Sequence, residues 1–217
     1  LKGRYAHLES DGENQQQQFN NSGTLKRSGS GTSQVKVPFN NTGTVEVNEG
    51  TLEFSGDLNN QGTAQVSGGT LEFSGDQTHQ GKLITEEEGT ILFSDGTQTL
   101  TKEVEWEGDN FRVEGATLTG ELTETLTWQH GTVNDLTISK EGEFILEDNT
   151  GSQTKTLTGE LTNQGTINYT NENSYRGSSP LKLGTESKSA VVNNSGTFEL
   201  KGRYAHLESD GENQQQQ

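Results

Sequence analysis

The sequence has no cysteine, only two prolines and no apolar run approaching the length of a membrane-spanning helix. The absence of cysteine excludes disulfide frameworks, thiolate metal sites and thiol nucleophiles. Basic residues are also few, because 15 Lys and Arg stand against 32 Asp and Glu and give a formal net charge of −17. So acidic a chain repels phosphate backbones, and we expect neither a nucleic-acid partner nor a membrane span in this segment.

Apolar residues are scarce as well, at 25% of the 217 residues. So few hydrophobic side chains together with so much charge of one sign are typical of a disordered acidic polymer. The glycines argue against that interpretation, because 28 of them occur and they fall at regular intervals. The spacing of residues, rather than their proportions, therefore decides between disorder and a repetitive fold.

The two ends of the chain carry the same sequence. Residues 1–18 and residues 200–217 both read LKGRYAHLESDGENQQQQ, so that Leu200 corresponds to Leu1. We interpret residues 1–199 as one tandem-repeat unit and residues 200–217 as the start of the next identical unit. The expected partners are therefore further copies of the same repeat, and we expect the chain to be a window on a longer array.

A shorter period lies inside the unit. The motif Asn-Asn-x-Gly-Thr occurs at 20–24, 40–44, 59–63 and 193–197. Its first three copies follow one another at about 19–20 residues, an interval typical of solenoid coils. A second motif, Gly-Thr-Leu-Glu-Phe-Ser-Gly-Asp, occurs at 50–57 and 69–76 and returns in altered form at 89–96. Short segments of alternating hydrophobicity, bounded by Gly, Asn and Ser, indicate β-strands rather than helices.

This period predicts an all-β fold, a parallel β-helix or β-solenoid, with about ten coils of 19–20 residues per unit. Strands of successive coils would pair, and their inward side chains would stack in a narrow core. A narrow core explains how few apolar residues can suffice. The predicted core consists of Val45, Val47, Leu52, Phe54, Val66, Leu71, Phe73, Ile91 and Phe93.

The Asn-Asn-x-Gly-Thr motif predicts a structural ladder at one corner of the coils. Asn tolerates the left-handed backbone of a sharp corner, and Gly adopts it at no steric cost. Stacked Asn amides also bond to their copies one coil away. The ladder residues are Asn20, Asn40, Asn59 and Asn193, followed by Gly23, Gly43, Gly62 and Gly196.

Acidic residues recur at equivalent positions of the repeats. Asp57 and Asp76 occupy the same place in the second motif, and Asp95 falls near the third. Calcium accepts several carboxylate oxygens and is the cofactor that these turns would bind; otherwise we expect none. The alternative is a column of solvated turns whose charges are screened by salt. The histidines lack metal-ligand spacing, and we expect them at the surface or at corners.

Two segments that interrupt the period are candidates for recognition, because loops leaving a rigid scaffold carry binding residues. One holds Arg4 and Tyr5, and the other holds Tyr175 and Arg176. Such pairs would contact a glycan or a neighbouring filament, and a flexible spacer is the alternative. We do not expect an enzyme, because the acids recur along the chain instead of forming one unequal pair in a cleft.

Three strings resemble a known group of proteins: FNNSGT at 19–24, FNNTGTVEVNEGTLEFSGD at 39–57 and LTGELTNQGTINY at 157–169. They are similar to repeats of giant bacterial surface proteins, the adhesins and haemagglutinin-like proteins, and WQHGTV at 128–133 is similar to a tryptophan-bearing coil of those arrays. The resemblance implies a right-handed parallel β-helix that is secreted and attached to the cell surface. The segments 171–192 and 201–217 are longer than its usual coils.

The function expected from these patterns is mechanical. We expect a structural repeat segment of a long extracellular, cell-surface fibre or adhesin stalk. A glycan- or cell-binding adhesin module that acts through the inserted loops is the first alternative. A polysaccharide-active enzyme is the second.

Overall fold

The computed structural model describes residues 6–9, 17–147, 153–171, 181–202, 205 and 207–209. In this part of the chain every regular element is a β-strand. The chain divides into two compact units, Leu1–Arg112 and Val113–Gln217. Each unit consists of short parallel strands that pair with the coil before and the coil after.

The first unit contains β1 (His7–Leu8), β2 (Phe19–Asn21), β3 (Thr24–Val35), β4 (Phe39–Asn41), β5 (Thr44–Phe54), β6 (Leu58–Asn60), β7 (Thr63–Val66), β8 (Thr70–Phe73), β9 (Gln77–His79), β10 (Lys82–Thr85), β11 (Thr90–Phe93), β12 (Thr97–Leu100) and β13 (Glu105–Glu107). The boundary between the units falls within β14 (Phe111–Leu122). The second unit continues with β15 (Thr125–Ile138), β16 (Glu143–Leu146), β17 (Lys155–Asn163), β18 (Thr166–Thr170), β19 (Leu181–Leu183), β20 (Ala190–Asn194), β21 (Thr197–Lys201) and β22 (Leu207–Ser209).

The length of each coil follows from the register of paired strands. In the first unit Thr24 pairs with Thr44, and Thr44 pairs with Thr63. These two steps are 20 and 19 residues long. The step from Thr63 to Lys82 equals the second one, and the step from Lys82 to Glu105 is longer. The early coils therefore have the length that the sequence period predicts.

The coils of the second unit are less uniform. Thr125 pairs with Glu143 in a short step of 18 residues. Glu143 pairs with Thr166, and Thr166 pairs with Thr197 in a long step of 31 residues. The predicted β-solenoid is confirmed, but the two units together contain about seven coils instead of ten. The count was too high because extra residues lengthen later coils without adding new ones. The right-handed sense stays a prediction.

The predicted core residues lie inside the first unit, and none of them is more than 1% exposed. Strands β7, β8 and β11 each alternate half-buried and buried positions, as expected for strands with one face on a core. The phenylalanines of three coils lie in register, and the ring of Phe73 is 6.0 Å from that of Phe54 and 5.7 Å from that of Phe93. Each coil thus covers the apolar side chains of the one before it.

The motif glycines are required by close approach of the backbones rather than by a left-handed conformation. Gly43 and Gly62 do not have positive φ; left-handed glycines of the first unit include Gly50 at φ 70° and Gly69 at φ 96°. A Cβ on Gly43 would instead overlap the carbonyl oxygen of Gly23, one coil earlier. The expectation that the motif glycine serves a left-handed corner was therefore wrong, because the constraint comes from the neighbouring coil.

Gly43→Ala should destabilise the protein by about 2–3 kcal/mol, because the added methyl group forces two paired backbones apart. Gly23→Ala is the matched control in the same motif, since no atom of the described residues lies within 4 Å of a Cβ at that position. Urea unfolding followed by circular dichroism measures both. Equal midpoints for the two variants would contradict the close-approach explanation.

Candidate functional site

The most regular chemical feature of the structure is a buried column of amides, which we call the asparagine ladder: Asn21, Asn41 and Asn60 in successive coils. Nδ2 of Asn21 donates to Oδ1 of Asn41 at 2.8 Å, and Nδ2 of Asn41 donates to Oδ1 of Asn60 at 2.7 Å. All three residues are at most 7% exposed. The ladder therefore places a chain of hydrogen bonds inside the solenoid, parallel to the backbone bonds that join its coils.

The second Asn of each motif forms this ladder, whereas we singled out the first. The first Asn points outward, since neighbouring residues of a strand face opposite sides. Nδ2 of Asn40 donates to Oδ1 of Asn20 at 3.0 Å in a more exposed pair, and Asn59 occupies the same column one coil later. In the second unit Nδ2 of Asn193 donates to Oε1 of Glu160 at 2.7 Å.

The second unit has an amide pair of its own. Nδ2 of Asn163 donates to Oδ1 of Asn194 at 2.7 Å, and Asn163 is fully buried. Its aromatic core includes Trp128, whose ring is stacked on Phe144 with centroids 5.4 Å apart. Both units thus combine stacked amides with stacked aromatic rings.

His79 follows Asn60 in the register of the ladder and is fully buried. Its Nε2 lies 3.1 Å from Oε1 of Gln98, and its ring packs edge-on against Phe73 and Phe93. Burial lowers the pKa of His79 to about 4, and the hydrogen bond to Gln98 opposes that shift. Of the two alternatives expected for the histidines, surface or corner, His79 does not fit the surface; it occupies an amide position of the corner motif and points into the core.

Two basic side chains of the described ranges also lie in the core, and the sequence pattern did not predict them. Arg27 is fully buried in register with Val47, and its Nη2 donates to the carbonyl oxygens of Ser30 and Gly31 at 2.7 and 2.8 Å. Lys155 is likewise buried in the second unit. The sequence period could have predicted that Arg27 is buried, because Arg27 lies one coil before the inward-facing Val47.

Stacked acids on the surface of the first unit are stabilised by polar neighbours. Glu53 and Glu72 lie side by side in register, where like charges repel. Glu53 accepts hydrogen bonds from Nε2 of Gln34 at 2.7 Å and from Oγ of Ser74 at 2.9 Å. These two donors offset the repulsion, so this column of acids is part of the coil-to-coil contacts.

The three aspartates considered for calcium lie in the short connections that precede β6, β9 and β12. Oδ1 of Asp76 accepts from the backbone N–H of Thr97 at 2.7 Å, and Oδ1 of Asp95 accepts from that of Gly96 at 2.8 Å. Within the described ranges no three His, Asp or Glu side chains are grouped as a metal site would need. Calcium binding by Asp57, Asp76 and Asp95 stays a prediction.

A polar groove of about 740 Å³ runs along the first unit. It brings together residues from two of the predicted sets, Asn40 and Asn59 of the outward amide column and Asp57 and Asp76 of the acidic column. Thr78 adds a hydroxyl group to the same wall. The groove offers hydrogen-bond donors and acceptors at the spacing of the coils.

The four residues predicted to bind through inserted loops are Arg4, Tyr5, Tyr175 and Arg176. All of them lie outside the described residues. Their role in recognition stays a prediction.

Comparison of the chain with family models, with curated proteins and with solved structures gave no match. The structure is compatible with a β-helix repeat protein, and the fold is the part of the resemblance that it supports. No helix in the described part of the chain is long and apolar enough to cross a membrane.

Asn41→Asp should cost about 3–5 kcal/mol at neutral pH, since it leaves a buried carboxylate facing Oδ1 of Asn60 and removes the donor of the ladder. The loss should shrink as the pH falls, because burial raises the pKa of the introduced carboxyl and protonation restores a donor. Urea unfolding at several pH values measures the difference in unfolding free energy between the variant and the original protein. The control is Asn40→Asp on the outward face; a cost as large as that of Asn41→Asp would contradict the buried ladder.

His79 makes stability depend on pH. Its folded pKa of about 4 lies below the ordinary value of 6.5, so the unfolded chain takes up a proton first as the pH falls. Stability should therefore decrease between pH 6.5 and 4, by about 2 kcal/mol from pH 7 to pH 5.

The measurement is the difference in unfolding free energy between pH 7 and pH 5, compared with that of His79→Asn. Asn continues the amide column and does not titrate, so the variant should lose about 2 kcal/mol less over this interval. The acidic residues common to both proteins cancel in the comparison. Identical pH dependence in the two proteins would show that His79 is not buried in its neutral form.

Proposed function

We propose that this chain is a structural repeat segment of a long extracellular fibre or adhesin stalk on a bacterial cell surface. It acts without catalysis, and its partners are further copies of the same repeat in tandem. The observation that carries the proposal is the continuous coil-to-coil pairing of each unit, in a chain whose two ends repeat one sequence letter for letter.

The geometry suits a mechanical role. Strands lie across the direction in which the coils stack, so backbone hydrogen bonds between coils point along that direction. A force applied along the stacking direction is shared by many of these hydrogen bonds at once, and the hydrogen bonds of the asparagine ladder share it as well. Parallel loading resists extension better than bonds broken one at a time.

The acidic surface supports the same role. A formal charge of −17 keeps neighbouring fibres soluble and separate, and divalent cations would cross-link them. Several acids already have structural contacts, such as Glu46 with Lys26 at 2.7 Å and Glu53 with Gln34. Because these carboxylates bond to neighbouring side chains, they favour the interpretation of a structural surface over that of a catalytic acid–base pair. The extracellular, bacterial and adhesin parts of the proposal rest on the resemblance of the repeat motifs.

Electron microscopy of the native material tests the proposal. Antibodies against this chain should label uniform thin filaments, micrometres long, that extend from the cell surface. Labelling should disappear in cells that lack the corresponding gene. Label on globular particles, or label confined to the cell interior, would contradict a surface fibre.

A further inference from the structure

We infer that β1 and β22, which lie in the sequence shared by the two ends, are copies of one strand that joins successive repeats, so that the solenoid continues across each junction without a break in register. The inference rests on the proposed tandem fibre and specifies its register. The first coils of the following copy then cover the surface at the end of each repeat.

The first copy of the shared sequence pairs with the coil that follows it, and the second copy pairs with the coil that precedes it. At the first end Leu8 of β1 pairs with Val35 in the coil that follows it. At the other end Leu207 of β22, which is the same residue of the repeat, pairs with Leu181 in the coil that precedes it. In an array one coil would make both contacts, so each end of this chain shows half of the junction.

The apolar columns end uncovered at the last coil. Leu200 is in register with the fully buried Tyr169 but is 50% exposed, and Leu207 is in register with Leu181 but is 44% exposed. Burial of these apolar side chains by a further coil would stabilise the fold, because it removes apolar surface from water. Leu8, the equivalent of Leu207, pairs with Val35, which is fully buried. In an array, Val35 of the following repeat would therefore cover Leu207.

Within each unit, considered by itself, a buried Asn donates to the Asn of the following coil. Asn163 donates to Asn194, and Asn21 donates to Asn41. Because Leu200 corresponds to Leu1, Asn21 of the following repeat lies one coil after Asn194. The number of residues between these two asparagines equals the number between the paired residues Leu181 and Leu207. Asn194 would therefore donate to Asn21 of the following copy.

Gly23 supports the same register. In three copies of the motif a Cβ on the glycine would overlap the coil before it, and for Gly196 the obstacle is the carbonyl oxygen of Gly165. No described atom comes within 4 Å of a Cβ on Gly23 in this chain. In an array Gly196 of the preceding repeat holds the same motif position one coil before Gly23, and its carbonyl oxygen supplies the missing constraint.

Charges complement each other at the junction. Glu208 is in register with Lys182 on one side. Its equivalent Glu9 bonds to Nζ of Lys36 at 3.1 Å on the other side. In the array the acid would lie between two lysines, an alternation that neighbouring strands favour over like charges.

A tandem protein in which residues 19–217 follow Gln217 contains one complete junction and tests the register. Glu208→Cys is combined with Lys36→Cys in the following repeat. Neighbouring strands hold their Cα atoms within the range that a disulfide spans, and the native chain has no cysteine to interfere. Mild oxidation should remove both free thiols, measured by mass spectrometry and thiol titration.

Two controls make the result decisive. Glu9→Cys with Lys36→Cys in the single chain shows that this pair of positions closes when the contact is present. Glu208→Cys with Lys26→Cys in the following repeat should keep its thiols, because Lys26 lies beside Glu46 elsewhere in the same coil. If the first control closes and the junction pair keeps its thiols, the register is wrong.

Gly23→Ala supplies a second measurement that needs no cross-link. In the following repeat of the tandem protein it should lower the urea midpoint as Gly43→Ala does, whereas in the single chain it should leave the midpoint unchanged. A negligible shift in both proteins would overturn the stacked junction.

The outcomes also separate this inference from the proposed function. Disulfide closure together with globular native particles would contradict the fibre and leave the register intact. Filaments whose junction pair does not close would support the fibre and replace the continuous junction with a hinge between repeats.

Discussion

The spacing of parallel strands, about 4.8 Å, is the constraint on which the rest of this structure depends. Backbone hydrogen bonds fix that distance, so each side chain meets the residue one coil away whatever its chemistry. Residues at repeated positions must therefore tolerate a copy of themselves. Gly43 does so by having no side chain, Asn41 by donating to its neighbour and accepting from the one before, and Phe73 by stacking its ring.

This constraint explains how polar residues can join the apolar ones in the core of a chain that has few apolar residues. A buried amide normally costs free energy unless both its donor and its acceptor are satisfied. In the ladder Asn41 finds both complementary groups on identical side chains, one in the coil before it and one in the coil after. The low apolar content is therefore compatible with order, because repetition supplies the partners that an irregular fold would have to provide one by one.

The sequence was sufficient to predict the solenoid and its first core columns, because apolar residues recur at the positions of Val45, Leu52 and Phe54 at a nearly constant spacing and alternate with polar ones. It was insufficient for the number of coils, since a coil of 31 residues leaves the same motif at its corner as a coil of 19 residues. The inward Asn could not be separated from its outward neighbour by period alone. That choice depends on where each strand begins, which the backbone pairing decides.

His79 shows how the same constraint admits exceptions that sequence periodicity does not reveal. An imidazole replaces an amide in the column and finds its hydrogen bond one coil later, at Gln98, while its ring packs among phenylalanine rings. The cost is a protonation state fixed by burial, since the charged form has no place in this core. A second cost lies in the column itself, because Nδ2 of Asn60 and Nδ1 of His79 are buried and have no hydrogen-bond partner in the described part of the chain. The ladder of amide bonds therefore ends at Asn60, and the column continues beyond it through the bond between His79 and Gln98.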